Sequence, residues 1–383
     1  MKGFTNKLIL VSVFMLSLLS CKTGGEKGIE KIEKSKFHKI DNLGNRYLEL
    51  NRFSGSILVA KDNRIVYNRS FGLADYENEI PFSPKSAFKI GELSKLITIE
   101  ILNNLVEEKK VNSTESISDY LINTKPDISV SDFLNLNPNV DYNIAGRLIE
   151  KVTDKSYQEN ISEYAEKLKL EHTYYNLKKY QQAIGYLYHN HAGNGLELQR
   201  AQVYNLKDAF SSKGLKSTCN DLMKILKSYN KPISIDGYLD KDGFSYALLH
   251  NVENGRTIII LSNRRHPVAG EILNSISSIL DEKEYKLPLL RKPFNIEKTS
   301  LKDFAGNYLL NENVSFKVYD LNDRLFVQMG SNNVYLVPQS TNQFYMKEMD
   351  ASMRFLRDSI GLVDRVVLLN GFINSEQIAM RKE

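Results

Sequence analysis

Phe53-Ser54-Gly55-Ser56-Ile57-Leu58-Val59-Ala60-Lys61-Asp62-Asn63-Arg64-Ile65-Val66-Tyr67 is the stretch on which the fold turns. Residues 56–60 and 64–67 are apolar runs flanking Lys61-Asp62-Asn63, the pattern of a strand, a tight turn and a second strand. A matching pattern lies downstream, where residues 246–250 and 257–261 flank the turn signal Asn254-Gly255. Between the hairpins the periodicity changes. Apolar residues at 93, 96, 97, 101, 102, 105 and 106 recur at the helical interval and predict a buried helix over 93–106. Residues 141–152, 162–170 and 219–226 also read as helices, and 271–280 as a closing one. A hairpin at each end with helices between predicts an antiparallel sheet covered by helices, an α+β arrangement.

Pro288 and Pro293 mark a linker over 288–300. Beyond it, short runs at 316–319, 325–328, 334–337, 344–346, 353–356 and 363–369 alternate with turn residues and predict a small all-β module over 301–383. At roughly 150 residues per domain, 383 residues accommodate two or three domains. With 42% hydrophobic and 25% charged residues, the chain is neither disordered nor collagen-like. A net charge of +5, without a Lys/Arg block interleaved with aromatics, argues against a nucleic-acid partner. The absence of Trp weakens a sugar-stacking platform. Two cysteines, Cys21 and Cys219, are too few for a disulfide framework or a Cys-rich metal site, and no cofactor or metal is expected. Cys219 is expected to be a small apolar filler on a helix.

The first twenty residues carry Lys2 and Lys7, then a largely apolar run over 8–19, too short to span a bilayer at roughly 20 residues. The run ends in Leu18-Leu19-Ser20-Cys21, which resembles the lipobox of bacterial lipoproteins. That resemblance implies cleavage before Cys21, a lipid on its thiol, and an envelope protein facing away from the cytoplasm. Residues 22–36 are polar, rich in Lys, Glu and Gly, and read as part of a tether over 21–37, with the folded region at 38–287.

Three stretches resemble the opening of the serine β-lactamase-related hydrolases, the group of class C β-lactamases, penicillin-binding proteins and esterases. They are Phe53 through Asp62, Phe71-Gly72-Leu73-Ala74-Asp75-Tyr76-Glu77-Asn78, and Phe88-Lys89-Ile90-Gly91. Later stretches agree: Leu148-Ile149-Glu150-Lys151-Val152-Thr153-Asp154-Lys155-Ser156-Tyr157, Lys213-Gly214-Leu215-Lys216-Ser217-Thr218-Cys219, and the run from Gly255 to Asn263. Asp350-Ala351-Ser352-Met353-Arg354-Phe355 is similar to the β-rich tail appended to these hydrolases. The resemblance implies a β-lactamase/transpeptidase-like sheet and a three-part site. Its parts are Ser-x-x-Lys at a helix start, Tyr-x-Asn, and a strand motif headed by His or Lys beside the oxyanion hole.

Each part departs from that pattern here. The first reads Glu92-Leu93-Ser94-Lys95, with Glu92 at the nucleophile position. A carboxylate there pairs with Lys95 instead of being activated by it. Ser94 is one residue from Lys95, about 100° around a helix, so the two do not face each other. The second reads Asn137-Pro138-Asn139, keeping Asn139 but not the tyrosine, and the third falls near Gly237-Tyr238-Leu239, without its cation. Literal matches elsewhere do not restore the site. Ser86-Ala87-Phe88-Lys89 lies in an extended segment, where i and i+3 point to opposite faces. Ser228-Tyr229-Asn230-Lys231 runs into Pro232, and Tyr76-Glu77-Asn78, Tyr174-Tyr175-Asn176 and Tyr188-His189-Asn190 are chance hits in a chain with 21 tyrosines. His191 joins the last as a polar loop, and His250 and His266 are expected to be structural or surface residues. The expectation is a lipid-anchored protein with the hydrolase fold and impaired catalysis that binds a peptide, a peptidoglycan fragment or another protein. The alternative is an active serine hydrolase, esterase, peptidase or β-lactamase-like, with a rearranged site.

Overall fold

The computed structural model describes residues 24–122, 128–175, 182–191, 195–201, 210–239, 241–265, 268–329, 332–346, 351–369 and 377–382. Cys21 and the segment before it, Asn176, His266 and Asp350 lie outside these, as do the side chains of residues 188–197. Among the described residues no helix is long and apolar enough to cross a membrane.

Helix α1 (Gly24–Glu49) begins inside the stretch read as a tether. Only its second half carries an apolar repeat, and Ile40, Leu43 and Tyr47 are buried there. The first hairpin is β1 (Gly55–Lys61) and β2 (Arg64–Phe71). Its turn residues Asp62 and Asn63 both have positive φ, 49° and 60°, the backbone of a two-residue hairpin turn that Asp and Asn tolerate. A small ribbon of β3 (Leu73–Asp75) and β4 (Ile80–Pro81) follows, then β5 (Phe88–Lys89). A 3₁₀ turn, Gly91–Leu93, leads into α2 (Ser94–Glu107).

Helices α3 (Val130–Leu134), α4 (Tyr142–Thr153) and α5 (Tyr157–Lys167) start at Ser129, Asp141 and Ser156. The helix expected over 162–170 begins earlier because Ser156 and Glu159 form a reciprocal capping box. Strand β6 (Tyr174–Tyr175) precedes a hairpin of β7 (Tyr186–His191) and β8 (Gly195–Arg200), so the stretch expected to be a polar loop around His189 and His191 is strand instead. The body is completed by α6 (Phe210–Lys213), β9 (Leu215–Ser217), α7 (Cys219–Leu226), β10 (Ile233–Leu239), β11 (Phe244–Asn251), β12 (Arg256–Ser262) and α8 (Val268–Leu280).

The two hairpins read from the sequence meet in one antiparallel sheet of order β10-β11-β12-β1-β2. Leu58 pairs with Ile259 and Ile57 with Ile260. Because side chains alternate, Leu58 and Ile259 face the cluster holding α2, α4 and α7, while Ile57 and Ile260 face α1 and α8. The central strands are therefore apolar on both faces. His250 is buried with Nδ1 2.8 Å from Thr257 Oγ1 and Nε2 3.2 Å from the Tyr229 carbonyl, a structural histidine.

The C-terminal module is a closed barrel of eight antiparallel strands. They are β13 (Gly306–Asn311), β14 (Val314–Asp320), β15 (Leu325–Met329), β16 (Asn332–Pro338), β17 (Gln343–Met346), β18 (Ser352–Arg357), β19 (Val363–Leu369) and β20 (Gln377–Lys382). The six runs expected from the sequence all fall on strands. The first and last strands, which close the barrel at Tyr308–Arg381, add to them. Phe304, Tyr308, Phe344 and Phe355 fill the interior.

Candidate functional site

The site is built where α2 starts. Ile90 donates its N–H to the Leu215 carbonyl at 3.1 Å, which ties this corner to β9. Gly91 then takes a φ of +54°, and a Cβ there would lie 2.2 Å from Cε1 of Tyr246. The turn is possible because residue 91 has no side chain. It places Glu92 on the 3₁₀ turn and Lys95 in the first turn of α2, three residues apart and on one face.

Lys95 Nζ is 3.2 Å from Glu92 Oε2 and lies 4.9 Å over the ring of Tyr142, at the start of α4. Its side chain is 17% exposed, so the cation is held between a carboxylate and an aromatic face rather than solvated. Lys213, the last residue of α6, reaches the other oxygen, Oε1, at 3.3 Å. Burial favours the neutral acid at Glu92, but the charges and hydrogen bonds of Lys95 and Lys213 outweigh it and hold the carboxyl below its usual range. At neutral pH this is an ionised carboxylate with an ammonium on each side.

Ser94 faces elsewhere. It is fully buried, and its Oγ accepts the Leu215 N–H at 3.1 Å. The hydroxyl of Ser211 is likewise turned away, donating to the Tyr142 carbonyl at 2.7 Å. Among the described residues, the hydrogen-bond partner of Lys95 Nζ is the Glu92 carboxylate.

Tyr246 of β11 lies beneath this corner. Burial pushes its phenol up to about 12, the Glu92 backbone N–H bonded to its oxygen works against that, and the charges of Glu92 and Asp236 add to the rise. Gly237, which pairs with Tyr246 across β10 and β11, is also fitted to this ring: a Cβ at 237 would lie 2.7 Å from the phenol oxygen. The strand position where the resemblance expects His or Lys is thus glycine, and Tyr246 takes the space.

Asn139 is exposed in the turn before α4, with its N–H donating to Asn137 Oδ1 at 3.0 Å. Asn137 in turn donates from Nδ2 to Asp132 Oδ1 at 3.0 Å, so it acts as a turn residue. Among the described residues no hydrogen bond or ion pair joins Asn139 to Glu92 or Lys95. Ser86 and Lys89 are separated in function as well as direction. Ser86 Oγ accepts from the Ser83 N–H at 2.9 Å, and Lys89 is ion-paired with the buried Asp242. Among the described residues no group of three or more His, Cys, Asp or Glu is placed to hold a metal. Tyr142, Lys213 and Tyr246 were not singled out from the sequence. Lys213 and Tyr246 join through tertiary packing, whereas Tyr142 sits one turn from the Asn137-Pro138-Asn139 motif and could have been found from it.

Comparison with known proteins bears on the scaffold. A family model described as Beta-lactamase matches residues 40–136 and 138–237. Curated relatives named teichoic acid D-alanine hydrolase, from Staphylococcus aureus, are 28% identical over 244 residues, covering 52% of this chain. The match spans 59% of their length, less than two thirds. The crystal structure of FmtA from Staphylococcus aureus superposes with a TM-score of 0.53 at 20% identity, covering 67% of this chain and 93% of that one. An octameric penicillin-binding protein homologue from Pyrococcus abyssi gives 0.54 at 17% identity, covering 89% and 99%. At these identities the structural likeness speaks for the fold.

Proposed function

This chain belongs to the beta-lactamase family, and from that premise we propose that its acyl site has become a binding site, with Glu92 standing where the family places its nucleophilic serine. The observation that carries the reading is the Lys95–Glu92–Lys213 arrangement: both oxygens of the carboxylate are paired, and both ammonium groups are engaged. A lysine activates a neighbouring hydroxyl by taking its proton, and here Lys95 faces an anion that has none to give. Ser94, the nearest serine in sequence, is buried and spends its oxygen on the Leu215 N–H. Asn139 remains an exposed amide available to a ligand.

The ligand class that fits is an acylated envelope component: a peptide, a cell-wall fragment or a protein, with D-alanyl groups on teichoic acid the first to test because the curated relatives carry that activity in their name. We place the protein on the outer side of a bacterial membrane, lipid-anchored through Cys21. Metabolic palmitate labelling lost in Cys21→Ala supports this, and retained labelling overturns it.

Catalysis is tested by incubating the chain with a fluorescent penicillin, a chromogenic cephalosporin and short nitrophenyl esters. The expected result is no labelling or turnover above a Lys95→Ala control. Turnover or labelling above that control returns the protein to the active serine hydrolases, with a rearranged site. Glu92→Ser is expected to gain slow labelling, because Lys95 then faces a hydroxyl across the same three-residue spacing.

A further inference from the structure

We propose that a second pocket, between β2, residues 82–88 and the start of α7, binds one neutral sugar ring. The cavity measures about 320 Å³ and shares no lining residue with the Glu92–Lys95 corner. It lies at the small end of the roughly 300–1,000 Å³ range of small-molecule sites, which suits a single ring rather than a chain.

Its polar groups come in fixed pairs. Ser56 Oγ and Ser70 Oγ are 2.8 Å apart across β1 and β2. Asn68 Nδ2 donates to Asn220 Oδ1 at 2.9 Å. Ser86 Oγ accepts the Ser83 N–H at 2.9 Å. Each pair sets the orientation of its members and leaves capacity over. A serine hydroxyl has one donor and two lone pairs, and a carboxamide two donors and two lone pairs, so the Ser56–Ser70 and Asn68–Asn220 bonds do not use up either kind of group. The pocket therefore presents closely spaced donors and acceptors without net charge, which is what a ring of hydroxyls requires.

An apolar wall completes it. Phe82 and Phe88 both line the cavity and stack with centroids 5.0 Å apart and planes inclined by 16°. Phe88 is 1% exposed and its face is covered by Phe82, so the half-buried Phe82 is the ring left to meet the C–H face of a pyranose, a role that the missing tryptophan does not fill here. Arg69 also lines the pocket, but its Nη1 is 2.7 Å from Asp41 Oδ2. That neutralisation selects against a carboxylate or phosphate ligand.

Saturation-transfer NMR on the full chain tests the proposal, with methyl glucopyranoside and N-acetylglucosamine as probes and acetate and inorganic phosphate as charged comparisons. Transfer to the ring C–H protons of at least one sugar, saturating at one site per chain, is expected at about 20 mM or below. Asn68→Ala and Ser70→Val each change a residue of β2 that is not fully buried, and each should weaken that sugar at least tenfold while the chain stays folded by circular dichroism. No transfer to either sugar, equal transfer in the variants, or preferential binding of phosphate overturns the assignment. Because the lining is separate, Lys95→Ala should leave sugar binding unchanged. Failure here is therefore distinguishable from failure of the acyl-site reading.

Discussion

Tyr246 makes one fact out of two departures that the sequence shows separately. Its ring fills the space beside Gly91 and Gly237, so the left-handed turn into α2 and the lack of a side chain at 237 have a common cause. A lysine or histidine at 237 would meet the phenol oxygen, so restoring the family motif at that position alone should not restore a site. The same contact predicts that Gly91→Ala is strongly destabilising: the added Cβ meets ring carbon at 2.2 Å and the backbone must hold a φ of +54°. Positive φ and overpacking each cost about 1 kcal/mol or more, so we expect a loss of about 2 kcal/mol or more in urea unfolding. In a Tyr246→Ala background the packing part of that loss should disappear. Equal losses in both backgrounds would show that Tyr246 is not the obstacle. At this scale the sequence is only partly readable. The Glu92–Lys95 pair is legible because i and i+3 share a helix face whatever surrounds them. Lys213 is not, because it reaches Glu92 from a four-residue helix more than a hundred residues away.

Among the elements, those with a sustained apolar period or a turn signal were legible, whereas the polar start of α1, the strand β7 and the shortest strands were not. Two hairpins, α2 and α7 follow from apolar spacing and turn chemistry, and each lies where that spacing puts it. Strands of two or three residues carry no readable period, so β5, β9 and β6 could not be found, and with them went the sheet in which β9 runs between the other two. That sheet has a measurable consequence. Lys216 of β9 pairs directly with Lys89 of β5, and like charges across an antiparallel pair repel. Asp242 takes up Lys89, whereas Lys216 Nζ donates to Gln182 Oε1 at 2.9 Å. Burial, then the charge of Lys89, pushes Lys216 down to about 8, with Asp242 opposing. The unfolded chain, with a lysine pKa near 10.4, binds the proton more readily than the folded chain between about pH 8 and 10.4. Folding stability should therefore rise with pH across that window. Urea unfolding at pH 7.5 and 9.5 should show this rise reduced in Lys216→Met relative to the parent chain. A rise of the same size in both would assign the effect to other groups.

The whole molecule divides by its cores. Two apolar clusters serve the body, one on each face of the five-stranded sheet, and a third serves the barrel alone, drawing on residues from Leu301 to Ala379 with Ile296 packed against it. The stretch between the two is bonded to each: Arg46 of α1 donates to the Pro288 carbonyl at 2.9 Å, and Phe294 donates its N–H to the Pro338 carbonyl at 2.8 Å. A closed barrel leaves no strand edge that needs the body to cover it. Residues 288–383 should therefore fold without the rest of the chain. A unit of this size buries a smaller share of its surface on folding than the larger body does, so its unfolding midpoint in urea should lie below that of the body in the full chain. Closure is what makes this possible, and β20 provides it by pairing with both β13 and β19. Ending the fragment at residue 370 removes β20 and exposes two edges at once, so the shortened piece should lose its cooperative transition and aggregate. Far-ultraviolet circular dichroism and size-exclusion chromatography of the two fragments decide the matter. If 288–383 is unfolded, the barrel depends on the body. If 288–370 unfolds as cooperatively as the longer piece, the barrel's stability does not come from closing the ring.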